Sequence, residues 1–106
     1  VDVSIETVSP YTLIRLSGDV DLASSPQART AILEALTRNA PLFVDLSQVA
    51  YMDSSGVASL VEGYQTARRQ NLRFGLVAVA PPVLGVLRLA RLDRVFPIHA
   101  TLAEAL

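Results

Sequence analysis

Leu42-Phe43-Val44-Asp45-Leu46-Ser47, followed by Met52-Asp53-Ser54-Ser55-Gly56-Val57, carries the clearest fold signal of the chain. The first run is short, apolar and bounded by turn signals, the pattern of a strand covered on both faces. Beyond the second, Val57, Leu60, Val61 and Tyr64 recur at i, i+3, i+4 and i+7, which predicts an amphipathic helix ending near Arg68-Arg69-Gln70-Asn71. Its two arginines suit the negative C-terminal end of a helix. A buried strand handing over to a helix is half of a parallel βαβ unit.

Working outward, Val3 to Val8 alternates apolar and polar, and Tyr11 to Leu16 follows Ser9-Pro10, so the chain opens as an antiparallel hairpin. Ser25-Pro26 reads as an N-cap with proline at the first helical position. The helix it starts runs to about Arg38, with Ala28, Ile32, Ala35 and Leu36 facing inward. Downstream, Arg73 to Val79 predicts another buried strand and Pro81-Pro82 opens a third helix through about Leu92. Val95-Phe96-Pro97-Ile98 predicts a last, proline-marked edge strand, and Leu102 to Leu106 a terminal helical turn. The order β-β-α-β-α-β-α-β, with short connections, predicts a single α/β domain over residues 1–106, with a mixed sheet and helices mainly on one face.

Composition removes whole classes of chemistry. The chain has 106 residues, enough for one core, and a net charge of −1, so no global field draws nucleic acid or an anionic membrane surface. All nine basic residues are Arg, which excludes a Schiff-base or phosphate-loop lysine. Zero Cys excludes disulfides, thiolate nucleophiles and Cys-ligated metal sites. No apolar run approaches the roughly 18–20 residues of a membrane span. The expectation is a cytoplasmic protein, although a start at Val rather than Met leaves open a module of a longer one.

Asp53-Ser54-Ser55-Gly56 is the segment most able to carry chemistry, because it places two hydroxyls where a helix begins. The unpaired amides of a first turn and the macrodipole favour a negative group by roughly 0.3–1 kcal/mol. Such a place suits a phosphoserine. It equally suits an N-cap and nothing more, since Asp and Ser lead the cap preferences. His99, the single histidine, has no G-x-S-x-G elbow to serve. No phosphate-binding Gly-rich loop exists, and Asp19, Asp21, Asp45 and Asp53 read as charge around a hydroxyl rather than as metal ligands. Neither enzyme, cofactor nor metal is expected.

The two quoted runs resemble the central signature of the STAS domain, shared by anti-sigma factor antagonists and sulfate-transporter tails. The resemblance extends to Leu16-Ser17-Gly18-Asp19-Val20-Asp21 and to Pro81-Pro82-Val83 with Leu87 and Leu92. It implies a switch: in antagonists of this family a partner kinase phosphorylates the second Ser of Asp-Ser-Ser-Gly, which is Ser55 here. An unphosphorylated antagonist binds an ATP-binding anti-sigma factor serine kinase and releases a sigma factor, and a phosphatase resets it. Asp21 matches the family's loop aspartate, to orient the hydroxyl or contact the kinase, or simply to close an Asx-turn. The following Leu22-Ala23-Ser24-Ser25 lacks the bulkier polar residues often found there, which leaves partner identity open.

Phosphate on Ser55 adds about −1.5 to −2 charge beside Asp53 and, by the family fold, near Asp19 and Asp21, so a partner would face a hydrated anion. The expected partner surface is Asp19, Asp21, Asp53, Ser54 and Gly56, continued by Ser59, Glu62 and Gly63 along an outward stripe of the second helix. Gly63, costly in a helix by up to about 1 kcal/mol, reads as room for a partner's backbone or as ordinary drift. Leu84 or Leu89 on the third helix offers a second contact surface, with core burial or a dimer as the alternative readings of the same residues. The rival reading is a STAS subunit or cytoplasmic tail of an ABC-type or sulfate-type membrane transporter, acting as a docking module. A retained Ser and a compact chain favour the antagonist.

Overall fold

Residues 1–106 are described by a computed structural model. β1 (Asp2–Val8) and β2 (Tyr11–Val20) form the antiparallel hairpin, and α1 (Ser25–Leu36), β3 (Leu42–Met52), α2 (Ser54–Arg69), β4 (Phe74–Val77) and α3 (Pro81–Leu89) follow. A 3-10 turn at Leu92–Arg94, β5 (Ile98–His99) and α4 (Leu102–Ala105) complete the chain. The five strands lie side by side in sequence order; β1 is antiparallel to β2, and every later neighbour is parallel. The mixed α/β sheet expected from the sequence is the one observed.

The two faces of the sheet are unequal. Ile14, Leu16, Val44, Leu46 and Leu76 lie in the large core with the inner faces of α1, α2 and α3, whereas Leu13, Phe43 and Val77 form a small cluster closed by Ala105 of α4. The predicted inward residues of α1, namely Ala28, Ile32, Ala35 and Leu36, are all buried. Burying a side chain the size of Leu or Ile contributes about 1.5–3 kcal/mol.

Several boundaries differ from expectation. β3 continues past Leu46 to Met52, because Gln48 to Met52 still pair with β2 although β4 has already ended opposite Asp45. Only Val49 and Met52 of that extension are buried, so its apolar pattern is diluted. α3 stops at Leu89 instead of Leu92, since Arg91 takes a left-handed conformation (φ 60°) that ends the helix. The last strand is Ile98–His99; Phe96 enters the core instead of pairing, and Pro97, without an N–H, contributes only its carbonyl to Leu76. Residue 24, not Ser25, stands at the N-cap of α1, and Ser25 is buried in the first turn.

Candidate functional site

Val20 and Met52 are register partners on β2 and β3, so the chain leaves both strands side by side, and the Asp53 amide donates to the Val20 carbonyl at 3.2 Å. The loop after β2 and the start of α2 are therefore held against each other. Asp19 lies beside Tyr51 one step earlier.

Asp53 is the N-cap of α2, with an extended backbone (φ −101°, ψ −171°). Its Oδ1 accepts from the Ser55 amide at 2.9 Å and from the Gly56 amide at 3.3 Å, and the Ser55 hydroxyl donates to the same oxygen. These donors, the Ser55 hydroxyl first, hold the Asp53 carboxyl below the usual carboxylate range. Ser55 is half-buried with its Oγ at the rim of this turn, while Ser54 is exposed. Both the cap reading and the hydroxyl placement thus hold at one point.

Asp21 organises the neighbouring loop. Its Oδ1 accepts from the amides of Ala23 and Ser24 at 3.1 and 3.0 Å and lies 2.9 Å from Ser24 Oγ. Hydrogen bonding, above all from the Ser24 hydroxyl, lowers its pKa against the charge of nearby Asp53. The carboxylate is thus committed to an Asx-type turn, and it makes no hydrogen bond to the Ser55 hydroxyl. Asp19 is exposed. No three acidic or histidine side chains gather closely enough to hold a metal ion.

The stripe expected to continue outward along α2 turns the other way. Ser59 is 6% exposed, and its Oγ donates within reach of the Ser55 and Ser25 carbonyls. Gly63 is buried, and a Cβ there would come within 2.5 Å of Ile32 Cγ2. The close neighbour that this glycine admits is therefore the chain's own α1, not a partner's backbone. Glu62 is half-exposed at the seam and pairs with Arg29 of α1 at 2.7 Å. Gly56 is buried as well, since a Cβ would meet Met52 and Val20 within 3 Å. The face predicted as outer is the α1–α2 packing seam, because the helix rotates its small residues toward the neighbour that approaches most closely.

Two exposed apolar residues at this end were not singled out from sequence. Leu22, on the Asp21 loop, is 79% exposed and Tyr51, one residue before Met52, is 51% exposed. The available signal was a large apolar residue within two positions of an Asp of the site. On α3, Leu89 is 90% exposed and Leu84 is half-covered.

A mixed, mainly parallel sheet with α1, α2 and α3 on one face and a capped hydroxyl turn at the carboxyl ends of the central strands defines a small α/β module. The family model for the STAS domain matches residues 2–105, and the chain belongs to that family, whose anti-sigma factor antagonists are regulatory binding proteins rather than enzymes. An anti-sigma F factor antagonist of Paenibacillus polymyxa is 28% identical over 96 residues, covering 89% of this chain and 82% of its own length. The crystal structure of an anti-sigma factor antagonist from Mycobacterium paratuberculosis superposes with a TM-score of 0.86 at 28% identity, covering 98% of this chain and 89% of that one. The Bacillus antagonist SpoIIAA, 25% identical over 98% of this chain, matches with a TM-score of 0.83 in its unphosphorylated form and 0.76 in its phosphorylated form, covering 92% and 96% of those chains. No helix here is long and apolar enough to cross a membrane.

Proposed function

We propose that this chain is a cytoplasmic anti-sigma factor antagonist. Its unphosphorylated form binds an ATP-dependent anti-sigma factor serine kinase and so frees a sigma factor; phosphorylation of Ser55 ends the interaction, and a phosphatase restores it. The observation that carries this reading is the Ser55 hydroxyl at the first turn of α2, held by Asp53. Relatives named as antagonists, one of them solved in both phosphorylation states, give it direction.

The local chemistry favours switching by charge. Asp53 already occupies the amides of Ser55 and Gly56, which a phosphate on Ser55 would otherwise use. Of the arginines before residue 64, Arg15 is engaged with Glu6 and Asp45, Arg29 with Glu62 and Arg38 with Thr7. A new charge of about −1.5 to −2 would stand beside Asp53 and Asp21 without a local counter-ion from these residues, and a partner seated on this surface would have to desolvate it. The contact surface is proposed as Asp19, Ser54 and Ser55 with the exposed Leu22 and Tyr51. Asp21, Asp53 and Gly56 shape it, and Ser59 and Gly63 act on it only through packing.

The test is to incubate the chain with the kinase-type anti-sigma factors of its own genome and Mg-ATP and to read intact mass. One phosphate is expected on the parent chain and on Ser54→Ala, and none on Ser55→Ala. Label that persists in Ser55→Ala, or no labelling by any such kinase, overturns the proposal.

A further inference from the structure

The net charge of −1 conceals a strong separation of charge. Residues 1–63 carry eight acidic and three basic side chains; residues 64–106 carry two acidic and six basic ones. Helix α2 joins the two sets, with Asp53 at its start and Arg68 and Arg69 in its last turn, about 24 Å apart along the 16-residue helix.

At that basic end lies the largest opening of the molecule, a cleft of about 620 Å³ between α2 and the 3-10 turn. Its apolar wall includes Val61, Tyr64, Leu92 and Phe96, and Arg68 and Arg69 stand over it. Tyr64 packs edge-on against Phe96 with ring centroids 5.5 Å apart, which gives the cleft a fixed aromatic wall. Neither guanidinium has a carboxylate within 4.0 Å: Arg68 lies 5.8 Å from the Tyr64 ring centroid, and Arg69 donates only to the Thr66 hydroxyl at 3.1 Å.

A second opening of about 170 Å³ shares Tyr64 and Arg68 with the first, and His99 lines it. The Nε2 of His99 is buried and has no hydrogen-bond partner. This hollow exists because β5 pairs only with Leu76 and Val77, leaving the edge of β4 beside Phe74 and Gly75 without a neighbouring strand.

We propose that this cleft is a binding site for a small amphipathic anion, an aromatic body carrying one carboxylate. The volume falls in the range of small-molecule sites, which are mainly apolar with a few placed polar groups. The ring would lie against the partly exposed Tyr64 and Leu92, backed by the buried Phe96, and the carboxylate would meet the two guanidinium forks, which offer planar, bidentate donors. The forks are needed, because the C-terminal end of α2 is the negative pole and repels an anion by itself. Recognition here is independent of Ser55 and of the proposed antagonist cycle.

2-Naphthoate is the probe, titrated into the isotope-labelled full chain and followed by backbone amide shifts, with the neutral 2-naphthylmethanol as comparison. Saturable shifts are expected in residues 61–69 and 92–96, with the alcohol binding about tenfold more weakly. Arg68→Gln and Arg69→Gln should each weaken naphthoate about fivefold to tenfold, whereas Arg88→Gln, exposed on α3 and outside the cleft, should change nothing; all three keep the parent spectrum elsewhere. Equal binding of acid and alcohol, shifts that do not saturate or lie outside the cleft, or unchanged affinity in both glutamine variants overturns the proposal.

Discussion

The two ends of α2 differ in nearly every physical respect. At the start, a carboxylate caps the helix, hydroxyls are small, and the surrounding charge is negative. At the end, two arginines with no carboxylate within 4.0 Å stand over an open cleft, Arg68 beside the Tyr64 ring. The first end has hydrogen-bonded its polar groups to one another and leaves almost no concavity, which suits a flat protein contact altered by one modification. The other keeps its cations clear of carboxylates and its walls mainly apolar, which suits a small ligand. Between them Ser59 and Gly63 lock the helix to α1, so both ends are positioned by one seam.

The contrast breaks most severely at Ser55. Ser55→Glu places a permanent negative charge beside Asp53, and binding to the anti-sigma factor kinase should fall by two orders of magnitude or more, as for uncompensated interface charge; calorimetry checks this, and naphthoate affinity should stay unchanged. Gly63→Val tests the seam that both ends share. Overpacking against Ile32 should cost about 1–3 kcal/mol in urea denaturation, and the amide shifts of both ends should move together. Gly85 of α3 has nothing within 4 Å of its missing Cβ, so Gly85→Ala should instead stabilise by about 0.5–1 kcal/mol.

Acid acts on the carboxylate end of α2. Asp53 and Asp21 have depressed folded-state pKa values, caused chiefly by the hydroxyls of Ser55 and Ser24, and Glu62 has one caused chiefly by Arg29. A depressed pKa adds stability that is present above the unfolded value, about 4, and is lost as pH falls through the folded one. The urea midpoint should be flat from neutral pH to about 5 and fall below about 4. Asp53→Asn should flatten that limb, and Ser55→Ala should return the Asp53 carboxyl toward its ordinary value in a carbon-detected titration. The smallest effect belongs to Glu62→Gln, which removes an exposed ion pair and should barely move the neutral-pH midpoint.

Periodicity carried the fold because burial on one face repeats with the geometry of each element. Ala28, Ile32, Ala35 and Leu36 on α1, and Leu42 to Leu46 on β3, were legible in this way. What periodicity missed were local events that one residue decides: the left-handed Arg91 that ends α3 beneath a continuing apolar pattern, and the half-covered second part of β3. The site was legible at Asp53 and Ser55, whose cap geometry involves neighbours in sequence. It was misread at Ser59 and Gly63, because small residues mark either an exposed face or a close internal contact, and helical spacing alone does not distinguish them.

The order of elements, the capped hydroxyl turn and the chemistries that lack their residues follow from the amino-acid sequence, since these depend on local propensity and on which side chains exist. Long-range packing sets which side of α2 meets α1, that Asp21 commits its carboxylate to its own loop, and that the basic end of α2 overhangs a cleft with an aromatic wall. Those outcomes depend on how closely two helices approach and where strands end. Such distances are set between residues far apart in the chain, where periodicity carries no information.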